Sequence, residues 1–142
     1  MKTPVKVRNL PHEQWVEAYQ GYYVSNMGRW YSERTKKVLK QEPNSSGYYR
    51  VSLWVDGKQV RAFTHIKVVE LFGDCNGTRI PENNGTLREL HLSIDHLNRD
   101  KRNNRQSNLE LVSHRENCAR KYKIFNFKEA KNYGKRKQHD AL

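Results

Sequence analysis

The sequence predicts an α+β fold: a small antiparallel sheet module, then a strand–loop–strand–helix unit, then a basic C-terminal tail. Three observations carry this. An Asp56-Gly57 step separates two β-forming runs, a strong short-range signal for a hairpin. Two short apolar runs, 90–95 and 109–112, flank a polar loop and lead into a helix-capping sequence. The last segment, 121–142, holds seven Lys or Arg against Glu129 and Asp140. The predicted division is a β-rich module over 1–72, a loop or linker over 73–89, the strand–loop–strand–helix unit over 90–120, and the tail over 121–142.

Each element has its own warrant. Residues 21–32 place β-formers around the turn residues Asn26 and Gly28. Residues 48–55 and 58–63 are the hairpin strands. Residues 64–72 read as a short helix with Ile66, Val69 and Phe72 on one face. Residues 73–85 are rich in Gly, Asn and Pro and read as a loop. Ser113 and Glu116 have the spacing of a capping box. The Ser113 hydroxyl can accept from the Glu116 amide, and the Glu116 carboxylate can reach back to the Ser113 amide. A helix is therefore expected from His114, with Asn117 in its first turns and Cys118 as a small core residue. Tyr122 and Phe125 would pack onto the core if that helix continues.

A chain of 142 residues fits one compact domain or two very small ones. The hydrophobic fraction of 35% predicts a small core, which eight Tyr, three Trp and four Phe partly offset by the area each buries. The net charge of +12 implies an anionic partner, and nucleic acid comes first because Lys and Arg gain affinity by releasing condensed counterions. A membrane partner is not expected: no apolar run approaches a span, and no basic amphipathic helix stands out. The first residues lack the apolar stretch of a secretory signal, so none is expected there. Cys75 and Cys118 are too few for a zinc site and are expected as reduced thiols.

Four polar side chains could converge in the second unit. Asp95 and His96 end its first strand, Asn108 ends the loop, and Asn117 lies near the helix start. A carboxylate and an amide oxygen are hard ligands suited to Mg²⁺. Histidine is the side chain best able to take a proton from water near neutral pH. An asparagine can orient an imidazole, directly or through its backbone. Together these are the parts for metal-assisted phosphodiester hydrolysis. Adjacent strand residues face opposite sides, so Asp95 and His96 can share a site only if the strand bends or ends there.

The segment His91-Leu92-Ser93-Ile94-Asp95-His96-Leu97-Asn98, followed by Asn103-Asn104-Arg105-Gln106-Ser107-Asn108-Leu109-Glu110-Leu111-Val112 and Glu116-Asn117, resembles the HNH motif of phage-type homing endonucleases. That resemblance implies a ββα-metal fold, with Asp95 and Asn117 holding Mg²⁺ (Mn²⁺ as an alternative), His96 activating water and Asn108 positioning His96. Asn117 stands where many relatives have His. The N-terminal half is similar to the β-rich module often placed before such units. Its matching residues are Trp15, Tyr22 to Arg29, Gly47 to Leu53, Asp56-Gly57-Lys58, and His65 with Val68 to Phe72. That similarity implies DNA contact by a small sheet. Trp30 stands where Val is usual.

The resulting expectation is a DNA endonuclease acting on double-stranded DNA in a bacterial cytoplasm, phage-encoded, as monomer or homodimer. One site would cut one strand, leaving 5′-phosphate and 3′-hydroxyl ends as the resemblance implies. The alternative is a DNA-binding protein without turnover; RNA as substrate is a weaker third. Candidate DNA contacts are Arg29, Arg50, Lys58 and Arg61 in the β module, Arg99, Lys101, Arg102 and Arg105 in the loop, and Arg120 and Lys121 beyond it. Asn104 reads as loop-shaping, and His65, His91 and His114 as structural.

Overall fold

Asp56 and Gly57 both take positive φ, 51° and 75°, as a tight hairpin turn of mirror type requires. Strands β6 (Tyr49–Val55) and β7 (Lys58–Phe63) accordingly pair in unbroken register, from Val55 opposite Lys58 to Arg50 opposite Phe63. The strand alternation sends Val51, Leu53 and Ala62 into the core and leaves Ser52, Trp54 and Arg61 on the outer face. The computed structural model describes residues 5–81 and 86–122. The tail beyond Tyr122, Phe125 included, lies outside the described residues.

Two antiparallel sheets replace the single one expected in the first half. Strands β1 (Trp15–Tyr19), β2 (Tyr22–Ser25), β3 (Trp30–Ser32) and β4 (Lys37–Val38) form one, in that order. Strand β5 (Glu42–Pro43) joins β6 and β7 in the other. Proline cannot donate to a ladder, which suits Pro43 to a short edge strand. Between the sheets the chain is held by side chains: Gln41 Nε2 donates to the Gly28 carbonyl at 2.7 Å, and the Thr64 hydroxyl donates to Gln41 Oε1. The buried Trp30 indole in turn donates to the Thr64 hydroxyl at 2.9 Å.

Helix α1 (Thr64–Phe72) follows β7 directly and buries Thr64, His65, Val68 and Val69. Strand β8 (Leu92–His96) starts two residues later than expected, because residues 87–91 form turns and His91 takes φ 55°. It pairs antiparallel with β9 (Leu109–Ser113). Residues 114–122 are helical (α2). Ser113 Oγ accepts from the Glu116 amide at 3.0 Å, as the capping sequence predicts. The other half of the box is not made: the Glu116 carboxylate takes Arg120 Nε at 2.7 Å instead, a charge-assisted bond.

Residues 73–81 have no regular structure, yet they are clamped. Asp74 is almost fully buried; its Oδ1 accepts from the Asn76 and Thr78 amides, and its Oδ2 accepts from the Leu111 amide at 2.8 Å. The Cys75 amide donates to the Leu109 carbonyl at 2.7 Å. One buried apolar cluster contains Val24, Trp30, Leu53, Val68 and Val69 together with Ile94 and Leu109. The boundary expected at 73–89 thus marks a change in regularity, and the packing runs straight across it.

Candidate active site

Strand β8 ends at His96, and a turn follows in which the Arg99 amide bonds the His96 carbonyl at 2.9 Å. This strand end puts Asp95 and His96 at one cavity. It is lined also by Tyr48, Ile94, Arg99, Lys101, Asn117 and Lys121. Asp95, His96, Asn108 and Asn117 are all buried, an uncommon state for polar side chains without assigned partners or work to do.

Asn104, not Asn108, contacts the imidazole. Asn104 Oδ1 lies 2.7 Å from His96 Nε2. With that oxygen as acceptor, the ring carries its proton on Nε2 and presents Nδ1 as the base. Asn108 acts on the backbone beside it. Its carbonyl accepts from the Leu97 amide at 2.8 Å, its Oδ1 from the Asn98 amide at 3.0 Å, and its Nδ2 donates to Asn98 Oδ1 and the Asn103 carbonyl at 2.9 Å. Asn104 and Asn108 stand at different places of one Asn-rich loop, and spacing alone does not tell which amide meets the ring.

Burial holds the His96 pKa below its ordinary value, with Lys101 adding to the effect; the bond to Asn104 and the Asp95 charge oppose it. The imidazole is therefore neutral at pH 7, the form that can accept a proton.

Asp95 and Asn117 suit a hard divalent cation. Asn117 Oδ1 is buried and has no hydrogen-bond partner among the described residues, a costly state that a cation ligand would relieve. No group of three His, Cys, Asp or Glu side chains able to hold a metal forms among the described residues, so protein ligation would rest on this carboxylate and amide. Both Asp95 oxygens carry guanidinium contacts: Arg99 Nη1 at 2.6 Å from Oδ1 and Arg120 Nη1 at 3.0 Å from Oδ2. Arg120 also binds Glu110 at 2.7 Å and Glu116 at 2.7 Å, and these carboxylates hold its guanidinium pKa above the ordinary value.

The candidate DNA contacts fall into three groups. Arg29 is engaged inside the β module, bonded to both carboxylate oxygens of Glu13 and lying over the Trp15 ring at 5.4 Å. Arg99 and Arg120 are committed to carboxylates, as above, and Arg102 pairs with Asp100 at 3.1 Å on the surface. These arginines have their charge answered within the protein, which the sequence does not reveal. Arg50 and Arg61 line a second cavity of about 300 Å³ with Lys40, Glu42 and Ser52, on the outer face of the second sheet. Lys58 and Arg105 are exposed, and Lys121 lies at the rim of the first cavity. Lys101 donates to the Ser46 carbonyl at 2.8 Å and lies 4.6 Å over the Tyr48 ring.

Cys118, expected in the core, is exposed, with its sulfur 3.5 Å from His114 Nε2. The helix turns Asn117 inward in its place. His114 also meets Ser93 Oγ at 2.9 Å. Two residues at the site were not singled out by its motif. Tyr48 belongs to the β module and lines the cavity, and His65 packs against both Tyr48 and His96. The one signal for them in the sequence is their place in the N-terminal resemblance.

The family model described as HNH endonuclease matches residues 62–119. The chain is 33% identical over 103 residues to the DNA endonuclease I-HmuI of Bacillus phage SP01, covering 72% of this chain and 52% of that protein. It is 33% identical over 93 residues to the H-N-H endonuclease F-TflI of Escherichia phage T5, covering 66% and 43%. The chain thus spans about half the length of these curated relatives. Among solved structures, one titled as DNA binding and cleavage by the HNH homing endonuclease I-HmuI matches with a TM-score of 0.63 and 28% identity, over 86% of this chain and 66% of that one.

Proposed function

We propose that this chain, which matches the HNH endonuclease family model through residues 62–119 and is similar to phage HNH endonucleases, is an endonuclease of the phage homing type that cuts double-stranded DNA by metal-dependent hydrolysis. The observation that carries this is the meeting of Asp95, His96 and Asn117 at one cavity, with the Asn117 oxygen buried and unpartnered among the described residues. HNH nucleases work with a divalent metal; Mg²⁺ is the ion proposed here, with Mn²⁺ as a substitute, held by Asp95 and Asn117. When bound, it supplies charge stabilisation for the phosphate in the transition state and for the leaving 3′ oxygen.

The chain's own residues do the rest. His96 Nδ1 takes a proton from the attacking water, while Asn104 fixes the tautomer and Asn108 fixes the backbone beside the ring. Lys101 and Lys121 at the cavity rim attract the scissile phosphate. Arg50, Lys58 and Arg61 on the second sheet contact neighbouring phosphates, in keeping with the similarity of this half to a DNA-contacting module. One site cuts one strand, so a monomer nicks and a homodimer is needed for a concerted double-strand break. Relatives encoded by phages point to a bacterial host cell as the place of action. No helix among the described residues is long and apolar enough to cross a membrane.

A second reading, DNA binding without turnover, has one observation on its side: both Asp95 oxygens are taken by guanidinium groups. A plasmid carrying DNA that flanks the protein's own gene separates the two. Incubation with Mg²⁺ or Mn²⁺ is expected to nick it, and EDTA or His96→Ala to abolish the nick. Binding without cleavage across both metals would establish the second reading.

A further inference from the structure

Resting on the assignment of His96 as the base, we propose that Tyr48 and His65 are positioning residues for His96, so that the β-rich half completes the nuclease site. The ring of His96 has a single hydrogen bond among the described residues, at Nε2. One bond fixes one edge of an imidazole and leaves its tilt to whatever packs on its faces. Here the packing comes from two rings. The His65 centroid lies 5.5 Å away at 45°, and the Tyr48 centroid 5.9 Å away at 37°. Those two rings stack on each other at 4.9 Å and 21°, and Phe63 abuts His65 edge-on at 5.8 Å. The three rings close a triangle, so His96 cannot swing toward this side without displacing a buried residue.

Two further observations mark the arrangement as more than packing. His65 is buried, yet its Nδ1 has no partner among the described residues. A leucine would fill the space without leaving a polar atom unsatisfied, so stability alone disfavours the imidazole. Tyr48 lies outside the stretch matched by the HNH family, on the chain leading into β6, yet it lines the cavity with Asp95, His96 and Asn117. Its other contact is the Lys101 ammonium, 4.6 Å over the ring. The ring therefore sits between the base and a cation at the cavity rim.

The test uses the full chain with Tyr48→Ala, Tyr48→Phe and His65→Leu, read in three ways. In cleavage kinetics, Tyr48→Ala and His65→Leu are expected to lower kcat by at least about tenfold with KM within about twofold, since small misplacements of a reacting group are costly. Tyr48→Phe, which keeps the ring, is expected within about threefold of wild type. In thermal unfolding, His65→Leu is expected to be at least as stable as wild type, so that lost turnover is not lost fold. In nitrogen-15 spectra of the neutral His96 ring, wild type is expected to show one tautomer, protonated on Nε2, and Tyr48→Ala a mixture. Wild-type kcat in both Tyr48→Ala and His65→Leu, or an effect confined to KM, would overturn the proposal; the latter would make Tyr48 a DNA contact acting through Lys101. If wild type cleaves no DNA, the reading of His96 as base fails. The spectra still decide whether the rings hold it, and an unchanged tautomer in Tyr48→Ala would overturn that as well.

Discussion

Gly28 presses against Asn104: a Cβ built on Gly28 would stand 3.1 Å from the Asn104 backbone carbonyl and 3.1 Å from its Cβ. The turn between the second and third strands therefore buttresses the loop residue that bonds His96. Gly28 also takes φ 79°, where an L side chain is strained. Gly28→Ala is expected to cost about 1–2 kcal/mol of stability, from strain and crowding together. Cleavage should fall further than DNA affinity, because the displaced group is Asn104. Urea unfolding, plasmid nicking and a gel-shift titration on one preparation check this.

Asn117→Ala removes an oxygen that has no hydrogen-bond partner to lose among the described residues. Its unfolding free energy is expected within about 0.5 kcal/mol of wild type, or higher. Its affinity for Mn²⁺, read by titration calorimetry without DNA, is expected to drop about tenfold or more. Equal Mn²⁺ binding in variant and wild type would remove Asn117 from the ligand set.

Arg120 ties Asp95, Glu110 and Glu116 together at 2.7–3.0 Å. Arg120→Gln leaves carboxylates of α2 and the two-stranded sheet facing each other without their shared cation. The expected cost is about 1–3 kcal/mol, seen in urea unfolding. Arg120→Lys should not restore it, since an ammonium lacks the planar fork that serves three acceptors at once.

His65 makes stability depend on pH. Burial, with the neighbouring His96, pushes its pKa down from 6.5 to about 3. The folded protein therefore holds this ring neutral where the unfolded chain binds a proton. Stability from this residue is full above pH 6.5 and is lost as pH falls toward 3, at a slope approaching about 1.4 kcal/mol per pH unit. In His65→Leu that part of the acid slope should vanish. Denaturant midpoints of both proteins between pH 7 and pH 4 check the difference.

Arg50 and Arg61 face outward across paired strands and line one cavity. If each meets one phosphate, each alanine variant should reduce the salt dependence of DNA binding by about one unit of slope in log–log form. Arg29→Ala, by contrast, should act on folding, because its charge is spent on Glu13. Binding isotherms over a range of KCl concentrations distinguish the two behaviours.

What the sequence makes legible is local. The Asp56-Gly57 turn, the bounds of α1, and Ser113 as the cap of α2 all depend on neighbours a few residues away, and all stand as read. Glu116 departs from its expected role because Arg120 offers a charged partner one helical turn on. The separation of the first half into two sheets depends on Gln41 reaching Thr64 and Gly28, contacts more than a dozen residues apart. The bond from Asn104 to His96 depends on where Gly28 places the loop. Neither leaves a periodic trace. Arg29, Arg99 and Arg120 look like free surface charge in a chain of +12 until their carboxylate partners are seen in space.

The shared core bears on whether the strand–loop–strand–helix unit can be transplanted. A graft of residues 90–120 onto another scaffold would carry Asp95, His96, Asn108 and Asn117 and still arrive incomplete. It would expose Ile94 and Leu109, strand the Leu111 amide that Asp74 satisfies, and leave His96 without its flanking rings. Starting the graft at the Tyr48 hairpin would not complete it either, since Val24 and Trp30 belong to the same core and Gly28 abuts Asn104. The Gly- and Asn-rich stretch after α1, although it looks like a seam, is therefore a poor place to cut.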